Sequence, residues 1–187
     1  HPCSGDRVIT NRMEALAKRA PSPAPVQRPI SEDNAVEFED KDEESNHKDW
    51  LRVLIVEDHI VNQKVVVAML NKVLRGQYKH KIANNGQEGL TAATGEGHIY
   101  DVILMDIQMP IMDGLSAARA IRQWEDTCGG HEKYYICAIT AHASQADRND
   151  CYSAGMNRYA TKPLNISAMK DIIASYRAYE EESRKTL

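Results

Sequence analysis

The chain has 187 residues, with 23 Lys plus Arg against 27 Asp plus Glu and a formal net charge of −4. That length suits one ordinary domain with a tail, and the mild acidity argues against a nucleic-acid clamp, which needs a net basic face. The longest apolar runs, Val53 to Val56 and Val65 to Leu70, fall far short of the ~20 residues that span a bilayer, so no direct membrane contact is expected.

Cysteines stand at positions 3, 128, 137 and 151 with no C-x-x-C pair, and no two histidines share an H-x-x-x-H spacing. Reduced thiols in a cytoplasmic setting fit this better than a disulfide framework or a zinc site. The sequence starts at His1 without a charged stretch leading into an apolar one. No secretory leader is therefore expected, and the chain reads as a piece cut from something longer.

Residues 1–30 hold five basic and two acidic side chains, whereas residues 31–49 hold nine acidic side chains and two Lys. Pro21, Pro23, Pro25 and Pro29 forbid regular helix. The acidic run repels itself and offers only Val36 and Phe38 as sizeable apolar residues. Residues 1–48 are predicted to be a disordered linker, and 49–187 the folded domain.

From Trp50 onward, short apolar runs alternate with helical periods. Leu51 to Val56 reads as a strand and Val61 to Leu74 as a helix, with Val65, Val66, Met69, Leu70 and Val73 on one stripe. Lys79 to Ala83 is a weaker strand, Gly86 to Thr94 a helix, and Asp101 to Asp106 a strand ending in an acid. Gly114 to Trp124 returns to helix, followed by a longer loop from Asp126 to Lys133 around Gly129-Gly130. Strands at Tyr134 to Thr140 and Arg158 to Thr161 flank a helix at Ser144 to Ala154. Ile166 to Tyr179 closes the chain as a helix, with Met169, Ile172, Ile173 and Tyr176 inward. Five strands, each followed by a helix, predict an α/β fold with a doubly wound parallel sheet covered on both faces.

In such a sheet, ligands bind beyond the carboxyl ends of the strands. Those ends carry Glu57 and Asp58, then Asp106, Thr140 and Lys162. Three uncompensated carboxylates at close range would repel strongly. A hard divalent cation resolves the repulsion, and oxygen ligands with room for water suit Mg²⁺.

The span from about Leu51 to Tyr179 resembles a response-regulator receiver domain. The likeness rests on VLIVED at 53–58, LMDIQMPIMDG at 104–114, Thr140-Ala141 and Lys162-Pro163. The resemblance implies a flavodoxin-like fold of five strands and five helices. It implies that Asp106 is the phosphoacceptor, attacking a phosphohistidine phosphoryl group. Asp58, Asp106 and the backbone carbonyl of Gln108 would hold Mg²⁺, with Glu57 acting through a water. Lys162 would pair with one phosphoryl oxygen and Thr140 would hydrogen-bond another, with small Ala141 leaving room beside them. Tyr159 would be a switch residue that turns inward when Thr140 moves.

His59, beside the acidic pair, and His142, two positions after Thr140, depart from common forms of the family. His59 is read as a solvent-facing loop residue, and the resemblance places His142 where the family varies and phosphoryl lifetime is tuned. The first helix keeps Ile60, Val61, Lys64, Val67, Ala68 and Asn71 outward in this reading, with Asn62 facing the sheet. That apolar face beside the site suggests docking of a histidine phosphotransfer protein or a histidine kinase domain. Only Glu180 to Leu187 follow the last helix, so no output domain is expected in this chain. With the acidic tether in front and EDHIVNQ at 57–63, the parent resembles a hybrid sensor histidine kinase, which can be membrane-anchored elsewhere.

A stand-alone response regulator is the alternative. A haloacid-dehalogenase-type phosphatase is a further one, although that family uses Asp-x-Asp after the first strand and this chain has adjacent Glu57 and Asp58.

Overall fold

The computed structural model describes residues 50–95, 100–128, 133–141 and 144–185. The expected linker at 1–48, the loop around Gly129-Gly130 and His142 lie outside the described residues. In chain order the elements are β1 (Leu51–Val56), α1 (Ile60–Leu74), β2 (Tyr78–Ala83), α2 (Gly86–Thr94) and β3 (Val102–Asp106). They continue as α3 (Gly114–Cys128), β4 (Tyr135–Thr140), α4 (Gln145–Ser153), β5 (Arg158–Thr161) and α5 (Ile166–Lys185). All strand pairs are parallel, in the order β2-β1-β3-β4-β5. This is the doubly wound flavodoxin-like order, and it places a topological switch point between β1 and β3.

Alternation along the central strands feeds two cores. Val53 and Ile55, Val102 and Leu104, and Tyr135, Cys137 and Ile139 face α1 and α5, where Val66, Leu70, Met169, Ile172 and Tyr176 meet them. Leu54 and Val56, Ile103 and Met105, and Ile136 and Ala138 face the other way. There they meet Ala92, Ala93, Ala117, Ala118, Ile121 and Cys151 of α2, α3 and α4. Each central strand is thus apolar on both sides, as parallel strands require.

Several element boundaries shift by a residue, and two helix ends and one face differ more from the sequence expectation. α3 runs four residues past Trp124, to Cys128, and α5 runs beyond Tyr179 to Lys185. Both extensions are mostly polar and are tied back along the helix, by Arg122 to Glu125 at 2.7 Å and Arg184 to Glu180 at 2.6 Å. α1 begins at Ile60 and buries Gln63, Val66, Leu70 and Leu74. Val65 is therefore not on the inward stripe; it is 42% exposed. Val67, expected outward, is half-buried against the core. α1 ends where Arg75 and Gly76 both adopt positive φ, 52° and 80°, a conformation that halts the helix. No helix among the described residues is long and apolar enough to cross a membrane.

Candidate functional site

β1 and β3 are adjacent and parallel, so their carboxyl ends deliver Glu57, Asp58 and Asp106 to one point at the switch between them. One ligand oxygen from each of the three lies within 4.8 Å of the others. Glu57 and Asp106 are buried, at 2% and 4% exposure, and Asp58 is exposed to solvent. From the end of β5, Lys162 reaches between the buried pair. Its Nζ stands 2.6 Å from Asp106 Oδ2 and 2.8 Å from Glu57 Oε2. The Lys162–Pro163 peptide is cis.

Burial pushes the Asp106 carboxyl above the usual carboxylate range; Lys162 opposes this and Glu57 adds to it. Burial also works against the Lys162 ammonium. Its hydrogen bonds to Asp106 and Glu57 outweigh that, and they hold it above the ordinary lysine value. One ammonium therefore pairs with two of the three clustered carboxylates. An oxygen-only donor set with an anionic surplus and one solvent-facing member fits a hard divalent cation.

The loop after β3 is fixed closely. Gln108 N donates to Asp106 Oδ1 at 3.2 Å, and Gly114 N donates to the Ile107 carbonyl at 3.0 Å. A Cβ on Gly114 would stand 2.1 Å from the Asp106 carbonyl oxygen, so only glycine closes this turn. Thr140 is buried at the end of β4, and its carbonyl accepts from Lys162 N at 2.7 Å. Ala141 follows it and is exposed.

Tyr159 on β5 faces α4 rather than the acids. The Arg148 guanidinium carbon lies 4.6 Å from the centre of its ring, and Tyr152 meets the ring edge-on at 6.2 Å. On α1, Ile60 and Val61 are 60% and 56% exposed, and Lys64 and Ala68 face solvent with them.

The structure thus gathers Glu57, Asp58, Asp106 and Lys162 into one cluster. It sets Thr140 beside them and places Tyr159 on a separate helix contact. Reading the sequence for apolar periods missed the polar residues that hold the cluster. Asn62 Nδ2 donates to Glu57 Oε1 at 2.8 Å, and buried Gln63 donates to the Glu57 carbonyl at 2.7 Å. Polar residues at the first inward turn of α1 were the available signal.

The fold and site together define a doubly wound α/β domain with a carboxylate-centred site at its switch point. Residues 53–174 match the response regulator receiver domain family, and the chain belongs to that family. It is 34% identical over 152 residues to the hybrid signal transduction histidine kinase K of Dictyostelium discoideum, covering 78% of this chain and 12% of that protein. It is 36% identical over 139 residues to the osmosensing histidine protein kinase SLN1 of Saccharomyces cerevisiae, covering 73% of this chain and 11% of that protein. The chain thus spans only a small part of these relatives.

Among solved structures, it is similar to the co-crystal structure of the S. cerevisiae histidine phosphotransfer protein Ypd1 with the receiver domain of the response regulator Ssk1. That match has a TM-score of 0.62 and 34% identity over 68% of this chain and 88% of that chain. It is also similar to the receiver domain of the Pseudomonas aeruginosa sensor histidine kinase PA1611, which carries a magnesium ion in its active site cleft. Here the TM-score is 0.58 and the identity 36%, over 68% of this chain and 97% of that chain.

Proposed function

We propose that this domain is a phosphorelay receiver. In this reading it accepts a phosphoryl group from phosphohistidine on Asp106 and exchanges it with a histidine phosphotransfer protein or a histidine kinase domain. Residues 49–187 form the receiver, residues 1–48 are its tether, and the parent is a cytoplasmic or membrane-anchored hybrid histidine kinase. The observation that carries the reading is the Lys162 ammonium, bridging buried Glu57 and buried Asp106 at 2.8 and 2.6 Å.

In the transfer, an Asp106 carboxylate oxygen bonds to phosphorus while the donor's P–N bond breaks and the imidazole leaves with its electron pair. Phosphoryl transfer asks for positioning and charge stabilisation more than for covalent help from the protein. Lys162 Nζ is already beside Asp106 Oδ2 and moves onto a phosphoryl oxygen. The Thr140 hydroxyl donates to a second oxygen, next to small Ala141, and the Gln108 N–H orients the other Asp106 oxygen. Mg²⁺ would be held by Asp58, Asp106 and the Gln108 carbonyl, with Glu57 acting through water; when bound it supplies the positive charge that Lys162 alone does not.

Exposed Ile60, Val61, Lys64 and Ala68, with half-buried Val67 at the margin, form the docking face for the phosphotransfer partner. Exposed Val65 extends that face. The Ypd1 complex and the hybrid-kinase relatives support this partner class. Tyr159 is the switch that couples Thr140 to the α4–β5–α5 surface, by a shift of population between two positions of its ring.

The test is incubation of the chain with Mg²⁺ and acetyl phosphate, read by intact mass. One phosphate adduct is expected in the wild type and none in Asp106→Asn. A wild type that takes no adduct overturns the reading.

A further inference from the structure

A chain of amides reaches the acidic pocket from the turn between β2 and α2. Gln63, at 3% exposure on the first turn of α1, divides its Nε2 protons between two acceptors. These are the Glu57 carbonyl at 2.7 Å and Asn84 Oδ1 at 3.1 Å. Asn84 donates in turn to Glu88 Oε2, from its backbone N at 2.8 Å and from Nδ2 at 3.0 Å. Asn85 holds the other Glu88 oxygen at 2.8 Å, and its own Oδ1 caps α2 by accepting from Glu88 N. Gly86 N donates to the Met112 carbonyl at 3.0 Å, and a Cβ on Gly86 would stand 2.5 Å from that same oxygen. One short turn thus touches both acid-bearing loops, the one after β1 through Gln63 and the one after β3 through Met112.

We propose that the Asn84–Glu88 turn is a brace that sets the cation affinity of the acidic pocket, with Gln63 and Asn84 as positioning residues. The inference rests on the reading that the pocket binds Mg²⁺. Carboxylates that repel one another must be held where a cation can meet them all, and the groups behind metal ligands carry out that holding. Gln63 is buried, whereas Asn84 and Glu88 stand at the surface, so the amide of Asn84 is the fixed acceptor between Gln63 and solvent. Removing the Asn84 acceptor replaces a fixed partner by mobile water, which leaves the Gln63 amide free to turn away from the Glu57 carbonyl. The main chain of Glu57 then loosens, and with it the carboxylate that Asn62 and Lys162 hold.

The experiment is calorimetric titration of the full chain with MgCl₂, well below its melting temperature. Three proteins are compared: wild type, Asn84→Ala, and the double variant Asn84→Asp with Glu88→Gln. The double variant keeps an acceptor for Gln63 and keeps an amide and a carboxylate facing each other in exchanged order. Asn84→Ala should bind Mg²⁺ about tenfold more weakly, within the range seen for groups behind metal ligands. The double variant should return to within about threefold of the wild type, since an acceptor again faces Gln63 Nε2. A merely structural role would lower the melting temperature and leave both dissociation constants where they were. Asn84→Ala within about twofold of wild type, or a double variant as weak as Asn84→Ala, overturns the brace. A wild type that binds no Mg²⁺ overturns the underlying reading and the brace with it.

Discussion

Asp101 precedes β3 and Asp106 ends it, five positions apart, and the two ends of the sheet treat them in opposite ways. At the amino end, Arg52 meets Asp101 in a two-pronged pair, Nη2 to Oδ1 at 2.5 Å and Nε to Oδ2 at 3.1 Å. The Arg52 backbone N adds a third bond to Asp101 at 2.6 Å. Arg122 is matched as fully at the same end of the sheet. It donates to Glu125 at 2.7 Å, the Gly155 carbonyl at 2.8 Å, the Tyr134 carbonyl at 2.9 Å and Asn157 Oδ1 at 2.8 Å. At the carboxyl end, a single lysine serves Asp106 and Glu57 while Asp58 stands within reach of both. Charge is balanced where the protein needs only to stay folded. It is left in anionic surplus where it has to bind something positive and react.

This contrast can be broken most severely at the amino end. Arg122→Met leaves Glu125, whose side chain is 2% exposed, as a buried carboxylate without its guanidinium. A loss of about 3–5 kcal/mol in urea unfolding is expected, and a loss below about 1 kcal/mol would remove the structural role given to that pair. A smaller effect is expected at the carboxyl end. Lys162→Met leaves two buried carboxylates facing each other, and about 2 kcal/mol should be lost in metal-free buffer, less than for a fully buried pair because Lys162 is partly exposed. Thermal melts with and without millimolar MgCl₂ check this, since the cation should recover more stability in the variant than in the wild type.

Asp106→Asn should act in the opposite sense and stabilise the metal-free domain by about 1 kcal/mol, the usual gain from relieving one unfavourable group. Its sign follows from the raised carboxyl. The folded state holds the Asp106 proton more tightly than the unfolded chain does. That contribution is complete below the unfolded pKa and is lost as pH rises through the raised folded one. Melting curves across that interval should show a fall with pH in the wild type that Asp106→Asn lacks. The smallest effect is expected for Arg52→Lys. It keeps the charge but loses the planar fork, and because Arg52 is 43% exposed the cost should be about 0.5 kcal/mol by denaturant titration. Its phosphorylation rate should match the wild type; a slower rate would show that the two ends are not separable.

Much of this arrangement was legible in the residue order. The acids and the lysine are strand-end residues, so finding the strands located them, and the apolar doublets of β1, β3 and β4 made those strands plain. The failures share a physical cause. Apolar periodicity is blind to polar residues that are buried and to helical residues that are solvated. On α1, Val66, Met69, Leu70 and Val73 pack inward as expected, while polar Gln63 takes an inward position and Val65 faces solvent instead. The last turns of α3 and α5 carry no apolar signal, only charges that pair along the helix. The contact of Tyr159 with Arg148 joins β5 to α4, and no local pattern announces it.

Lys162 lies 105 positions from Glu57 and 56 from Asp106 along the chain. It is delivered by the shortest strand, the four-residue β5 at the edge of the sheet. Contacts so distant in sequence carry a loop-closure cost that nearer ones do not. A chain that has laid down β1 and β3 but has not yet added β5 holds three acids and no ammonium. The site is complete only with β5 in place, so reactivity toward a phosphodonor doubles as a readout that the sheet edge is intact.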